Sequence, residues 1–211
     1  IGPTSLKNII VHLKKVYCYA IGIEYMYIRN PKKLSWIQER LNINVNSPNF
    51  SSDEKKHILN KLSQAVNFEN FLHTKYVGQK RFSLEGGESL IPALDSLILA
   101  ADDLGVEEFV MGMAHRGRLN TLANIFGKST KDIFSEFDGK DYDDDVFDGD
   151  VKYHMGWTSK IDPNKDGKKI NISLAPNPSH LETVGAVVQG IARAKLENSY
   201  SNDTSKVLPI I

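Results

Sequence analysis

Two segments of the chain repeat one order of elements, and this repeat limits the fold more than any other feature. In each segment a short apolar run is followed by a polar loop that contains a histidine, and then by apolar residues at helical spacing. The two segments occupy residues 109–127 and 170–196. Strand, loop and helix in this order predict parallel strands joined by right-handed crossovers, and therefore an α/β fold.

The first 75 residues predict helices. Apolar residues from Leu6 to Tyr17 form one stripe that Gly22 would end, and Ser51 with Glu54 has the spacing of a capping box ahead of another helix. Between these helices, EYMYI at 24–28 suggests a short extended piece.

The composition changes at 81–87, which is a polar and glycine-rich segment. The sequence predicts a helix at 88–105 directly after it. The last residues, VLPII at 207–211, predict a third strand. We therefore predict a helical segment over residues 1–75 and an incomplete α/β domain over residues 76–211.

Composition excludes several classes of partner. The 26 basic residues balance 26 acidic ones, so no global field draws the chain to nucleic acid or to an anionic membrane surface. No apolar run approaches the roughly 20 residues of a membrane span. Cys18, the single cysteine, cannot form an internal disulfide and fits a reducing compartment. Without a targeting segment, we expect a bacterial cytoplasm, with the mitochondrial matrix as the alternative.

The loop at 112–118 predicts an anion site. In an open α/β sheet, ligands bind where a loop leaves the carboxyl end of a strand, and the next helix presents free N–H groups there. The planar guanidinium of Arg116 suits a phosphate or a carboxylate, whereas Arg118 could equally be a surface ion-pair partner. His115 and His180, on equivalent loops, would face one cleft if their strands are neighbours, and a neutral imidazole there could polarise a carbonyl or shuttle a proton.

Other patterns predict less. Residues 138–150 contain seven aspartates, but a calcium loop placed on them has Val146 at its glycine position and Lys152 at its closing glutamate, so we interpret them as a solvated loop. Ser179 is interpreted as a helix cap, and His57 and His73 as surface or packing residues. The glycine fingerprint of dinucleotide-binding domains is absent, which argues against an NAD-binding module.

Four longer motifs, taken together, resemble a known family. KRFSLEGGESLIP at 80–92, GMAHRGRLN at 112–120, GDVKYHMG at 149–156 and NPSHLE at 177–182 are similar, in this order, to the E1 component of the 2-oxoglutarate dehydrogenase complex. GIEYMYI at 22–28 and SSDEKK at 51–56 extend the similarity over nearly the whole chain.

This resemblance implies a thiamine diphosphate-dependent enzyme of the tricarboxylic acid cycle. Such an enzyme decarboxylates 2-oxoglutarate oxidatively and passes the succinyl group to the lipoyl group of the E2 succinyltransferase, within a complex that also contains E3. The resemblance further implies a homodimer, and makes residues 76–211 the first part of a parallel-sheet thiamine diphosphate-binding domain.

The resemblance also gives roles to individual residues. His115 and His180 would be catalytic, serving the carboxylates of the substrate and its proton transfers, with His115 also lining the cofactor site. Arg116 would help to bind the diphosphate, and Phe82 would wall the pocket near the thiazolium ring. His154 is a weaker candidate.

One departure from the family pattern concerns the metal. Family members continue from the strand equivalent to VLPII into a Gly-Asp motif whose aspartate, with a later asparagine, holds Mg²⁺ on the diphosphate. The chain ends at Ile211, before that motif, so we expect an N-terminal portion that is inactive alone. Two alternatives remain, namely a related E1 that acts on 2-oxoadipate and a non-catalytic assembly module whose residues 1–75 dock other components of the complex.

Overall fold

A computed structural model describes residues 3–138, 154–176 and 181–211 of the chain. The chain divides into two compact units between Lys56 and His57. In chain order the elements are α1 (Leu6–Tyr17), α2 (Pro31–Ile43), α3 (Ser52–Lys75), α4 (Leu90–Asp103), β1 (Glu108–Met111), α5 (Arg118–Asn124), α6 (Thr130–Phe137), β2 (Trp157–Ile161), β3 (Ile170–Leu174), α7 (Leu181–Ser199) and β4 (Val207–Ile210). None of the helices described here is both long and apolar enough to cross a membrane.

The first unit, residues 1–56, is built from capped helices. The hydroxyl of Ser5 accepts from the backbone N–H of Asn8 at the start of α1, and Asn30 caps α2 in the same way. Both caps satisfy N–H groups that have no partner within their helix. The unit has a small core of its own, formed by Val16, Tyr25 and Leu41.

Two predictions for this unit are wrong in detail. Helix α1 ends at Tyr17, before the predicted stop at Gly22. Residues 24–28 are not extended, because the N–H of Ile28 donates to the carbonyl of Tyr25 at 3.0 Å and closes a turn. The capping box at the start of α3 is confirmed, since Ser51 N–H donates to Glu54 Oε2 at 2.7 Å and Glu54 N–H donates to Ser51 Oγ at 3.2 Å.

The second unit, residues 57–211, contains a four-stranded sheet in the order β2-β3-β1-β4. Strand β1 pairs in parallel with both β3 and β4, which confirms the predicted α/β class. Strand β2 was not predicted, and it pairs antiparallel with β3, so the sheet is mixed and VLPII is its fourth strand. As a short edge strand with alternating half-buried and exposed residues, β2 lacks the apolar run that revealed β1 and β3.

Helices cover both faces of this sheet. One face packs against α3 to α6, and the other packs against α7. The first core includes Phe109 and Met111 of β1, whereas Val110 between them faces Val184 and Val188 of α7. The alternation follows from the two-residue period of a strand, and burial on both faces explains why β1 is a continuous apolar run.

The strand register brings three segments to one edge. Met111 at the carboxyl end of β1 pairs with Leu174 at the carboxyl end of β3, and Trp157 at the start of antiparallel β2 pairs with the same Leu174. The segments at 112–117, 154–156 and 175–176 therefore leave the sheet at this carboxyl edge. Strands β1 and β3 are therefore neighbours, which is the condition under which their two loops would share a cleft.

Candidate functional site

The ring of Phe82 lies against the imidazole of His115 at the carboxyl edge. Their ring centroids are 4.0 Å apart with an interplanar angle of 34°. Nδ1 of His115 is buried and has no hydrogen-bond partner among the residues that the structure describes. Because buried polar atoms in native proteins are nearly always paired, this nitrogen indicates a place where a ligand can bind.

The turn that carries Phe82 is strained and is tied to the loop of His115. Phe82 has a φ of +47°, a left-handed conformation that a bulky residue rarely adopts. Its carbonyl accepts from the N–H of Gly117 at 2.9 Å. Gly117 itself has a φ of +72°, and a Cβ on it would overlap Cδ1 of the buried Leu84. The two turns therefore approach more closely than any residue but glycine allows.

Arg116 extends from the same loop into solvent. Its Nη1 donates to the carbonyl of Ser83 at 3.1 Å, which holds the exposed side chain beside the turn of Phe82. A guanidinium has five N–H donors, so this bond leaves others to meet an anion. The predicted pair of His115 and Arg116 is thus present at the edge of the sheet, with Phe82 next to both.

Arg118 is buried, and the prediction that it could be a surface ion-pair partner is wrong. Its side chain is 0% exposed and donates to the carbonyls of Met113 at 3.2 Å, Met155 at 2.9 Å and Ala175 at 2.7 Å. Arg118 is the first residue of α5, and helical side chains lean toward the N-terminus of their helix, here toward the sheet edge. Burial lowers the pKa of Arg118 to about 10, so the group stays cationic at neutral pH.

Glu69 was missed by sequence reasoning and supports the turn of Phe82 from below. Its side chain lies on the buried face of α3, where Oε1 accepts from Leu84 N–H at 3.1 Å and from Asn120 Nδ2 at 3.0 Å. Its Oε2 accepts from Ser83 Oγ at 2.9 Å. The signal was available, because Glu69 falls between Phe68 and Leu72 on the apolar stripe of α3, where a carboxylate needs partners.

Several predicted residues cannot be placed in this arrangement. His180 and the rest of the loop at 177–180 lie outside the described residues, as does the aspartate-rich segment after Asp138. His154 is described and half-buried, and it directly precedes Met155, whose carbonyl accepts from Arg118. Within the described ranges, no three His, Cys, Asp or Glu side chains come together in a way that could hold a metal.

A cavity of about 330 Å³ lies at the opposite edge of the sheet. It is lined by the end of β2 at Ile161 and by Asp95, which accepts from Nε2 of His57 at 2.5 Å and from Nζ of Lys61 at 2.6 Å. Lys61 already balances the charge of Asp95, so the cavity offers no free charge of that pair to a ligand. His57 is a surface residue with a local partner, as the sequence indicated.

The fold is an α/β domain whose carboxyl edge brings together an aromatic ring, an imidazole and a guanidinium, a set of side chains that suits an anionic ligand. The 2-oxoglutarate dehydrogenase E1 component of Cupriavidus necator is 50% identical to the chain over 206 residues, which are 98% of this chain and 21% of that protein. The corresponding protein of Brucella canis is 48% identical over 200 residues, 94% of this chain and 20% of that protein. No protein-family model matches the chain.

The chain belongs, over this matched range, to the family of 2-oxoglutarate dehydrogenase E1 components, which confirms the resemblance found in its motifs. It spans about a fifth of the length of these curated relatives.

Proposed function

We propose that the chain is the part of a 2-oxoglutarate dehydrogenase E1 component that supplies one side of its active site. The full-length protein would decarboxylate 2-oxoglutarate oxidatively and pass the succinyl group to the lipoyl group of an E2 partner. The main support is the contact of Phe82 with His115 at the carboxyl edge, in a chain that is 50% identical to such a protein over nearly its whole length.

The residues at this edge fit thiamine diphosphate, an aromatic ligand with an anionic end. Arg116 would hold the diphosphate through charge-assisted hydrogen bonds, and Phe82 would pack against the thiazolium ring. The buried Nδ1 of His115 would gain the partner that it lacks among the described residues. When bound, thiamine diphosphate supplies the nucleophilic carbon for the 2-oxo group and accepts the charge that remains when carbon dioxide leaves.

His115 and His180 would bind the substrate and take part in its proton transfers. We assign to His115 a hydrogen bond to a carboxylate of the substrate and a share in proton transfer, since a positioned imidazole exchanges protons near neutral pH. His180 would act from the equivalent loop, and the parallel pairing of β1 with β3 supports this because both loops start at one edge. We assign Mg²⁺ to the diphosphate but no residue of this chain to the metal.

The proposal extends to partners and location. The full-length protein would form a homodimer and assemble with E2 and E3. We place it in a bacterial cytoplasm, because the curated relatives named above come from bacteria, and keep the mitochondrial matrix as the alternative. The chain alone, which spans about a fifth of those relatives, would be inactive.

The test is turnover of two acids by the full-length protein with thiamine diphosphate and Mg²⁺, followed as reduction of an artificial electron acceptor. We expect faster turnover of 2-oxoglutarate than of 2-oxoadipate. The opposite preference would assign the protein to the 2-oxoadipate type. No reduction with either acid, in a protein that still binds E2, would contradict the enzymatic proposal and favour the assembly module.

A further inference from the structure

Arg118 connects three segments that each lead to or from one of the candidate histidines, His115, His154 and His180. Its carbonyl partner Met113 comes two residues before His115, and Met155 directly follows His154. The third partner, Ala175, begins the stretch of sequence that leads to His180. One side chain therefore joins the loop after β1, the entry to β2 and the end of β3.

The hydrogen-bond partners of Arg118 indicate that it holds these three segments in place. No carboxylate forms a salt bridge with Arg118 among residues 3–138, 154–176 and 181–211, so its charge is balanced there by carbonyl dipoles alone. Those carbonyls lie where strands end, and a buried carbonyl without a partner is costly. A rigid planar fork can serve three acceptors in fixed directions, whereas a lysine ammonium on a flexible stem cannot hold the same three together.

We propose that Arg118 is a positioning residue, which fixes the loop of His115 against the entry to β2 and the end of β3 for the reaction. This inference rests on the proposed function. Because its side chain is 0% exposed, Arg118 does not itself bind the substrate and acts through the backbone that it holds. Its role differs in this respect from that of the exposed Arg116.

The test compares Arg118→Lys, His115→Ala and the double variant in the full-length protein, by kcat and KM for 2-oxoglutarate. Misplacement of catalytic groups by about 1 Å can cost on the order of 100-fold in rate, and we expect a fall of that size in kcat for Arg118→Lys with little change in KM. The double variant should be no slower than His115→Ala alone, because a misplaced His115 has no further effect once its ring is removed.

The control is Lys168→Met, which removes a cation from the buried Asp102 at the opposite edge of the sheet. Nζ of Lys168 lies 2.5 Å from the Asp102 carboxylate, so this variant should lower Tm while kcat stays near that of the unchanged protein. A residue that only supports the fold would behave in the same way. Arg118→Lys should instead lose kcat at temperatures where both variants are fully folded.

Three results would overturn the inference. These are an unchanged kcat in Arg118→Lys, losses that multiply in the double variant, or failure of both Arg118→Lys and Arg118→Gln to fold, which would assign the residue to the fold alone. Absence of 2-oxoglutarate turnover in the unchanged protein would be seen first, and would overturn the proposed function together with this inference.

Discussion

The imidazole of His115 lies 4.0 Å, centroid to centroid, from the ring of Phe82. Interactions between the two segments that carry these rings hold them in this position. The N–H of Gly117 donates to the carbonyl of Phe82, which joins the two turns directly. Beneath both turns, the carboxylate of Glu69 accepts from the N–H of Leu84 and so connects the turn of Phe82 to α3. The contact therefore depends on buried residues that are not themselves part of it.

Replacement of Gly117 by alanine should damage this contact. The left-handed φ costs a residue with a Cβ about 1–2 kcal/mol. The Cβ would also overlap Leu84, which is 5% exposed and has little room to move, and overpacking of this kind adds roughly 1–3 kcal/mol. Urea unfolding of the chain measures the loss of stability.

Gly127 provides the matched control. Its φ of +67° is close to that of Gly117, but nothing lies within 4 Å of the Cβ that alanine would add. Gly127→Ala should therefore show the backbone cost alone. Equal losses of stability in the two variants would mean that Leu84 does not restrict the approach of the turns.

Glu69→Ala should destabilise the chain by more than Glu69→Gln. Alanine leaves the buried N–H of Leu84 without its acceptor, and an unsatisfied group of this kind costs about 1–3 kcal/mol. Asn120 Nδ2 loses one of its two acceptors and keeps the carbonyl of Ala65. Glutamine keeps one oxygen for these donors and can donate to Ser83 Oγ with its amide nitrogen. Denaturant unfolding measures the free energy of unfolding of both variants. A greater loss of stability in Glu69→Gln than in Glu69→Ala would show that the carboxylate charge matters more than these hydrogen bonds.

Arg116→Gln should weaken the binding of thiamine diphosphate to the full-length protein. The exposed guanidinium would form charge-assisted bonds with the diphosphate, worth about 1.5–3 kcal/mol, so the Kd should rise by roughly 10-fold or more. Calorimetric titration in the presence of Mg²⁺ measures this Kd. Arg116→Lys keeps the charge, so its Kd should lie between those of the unchanged protein and Arg116→Gln. An unchanged Kd in both variants would show that Arg116 does not bind the cofactor.

The start of α3 should lose protection as the pH falls. The backbone N–H and the hydroxyl of Ser51 lower the pKa of Glu54 below its ordinary 4.5, because both donate to the ionised carboxylate. A lowered pKa in the folded state means that the stabilisation is present above pH 4.5 and is lost as the pH drops through the folded value. Hydrogen exchange of the first amides of α3, between about pH 6 and pH 3, should show this loss.

Glu54→Gln is the control for this titration, since its amide does not ionise over that range. The variant should show no such fall in protection. A fall of the same size in both proteins would assign the pH dependence to another group.

The sequence was sufficient for the elements whose patterns are local. Phe109 and its neighbours in β1, and the apolar stripes of the helices, depend on periods of two and 3.6 residues that a single segment reveals. The parallel pairing of β1 with β3 followed from the order of these elements. His115 and Arg116 were placed at the carboxyl edge for the same reason, whereas Phe82 was added only by the resemblance of its motif.

The parts that sequence reasoning missed depend on distant partners. The acceptors of Arg118 lie 5, 37 and 57 residues away along the chain, and no local pattern shows that a charged residue at the start of a helix is buried beneath them. Glu69 likewise finds Ser83 only after the turn of Phe82 folds back on α3. Edge strand β2 was missed because its half-buried residues leave a weak alternation over five positions.

The most direct test of the account is the rate of 2-oxoglutarate-dependent reduction of an artificial acceptor by the full-length protein and by its His115→Ala variant. General acid–base groups contribute about 100-fold to 10,000-fold, so we predict a fall in kcat within that range with an unchanged fold by circular dichroism. His57→Ala, at the opposite edge of the sheet, should retain the rate of the unchanged protein. Equal turnover in the His115→Ala variant and the unchanged protein would contradict the account.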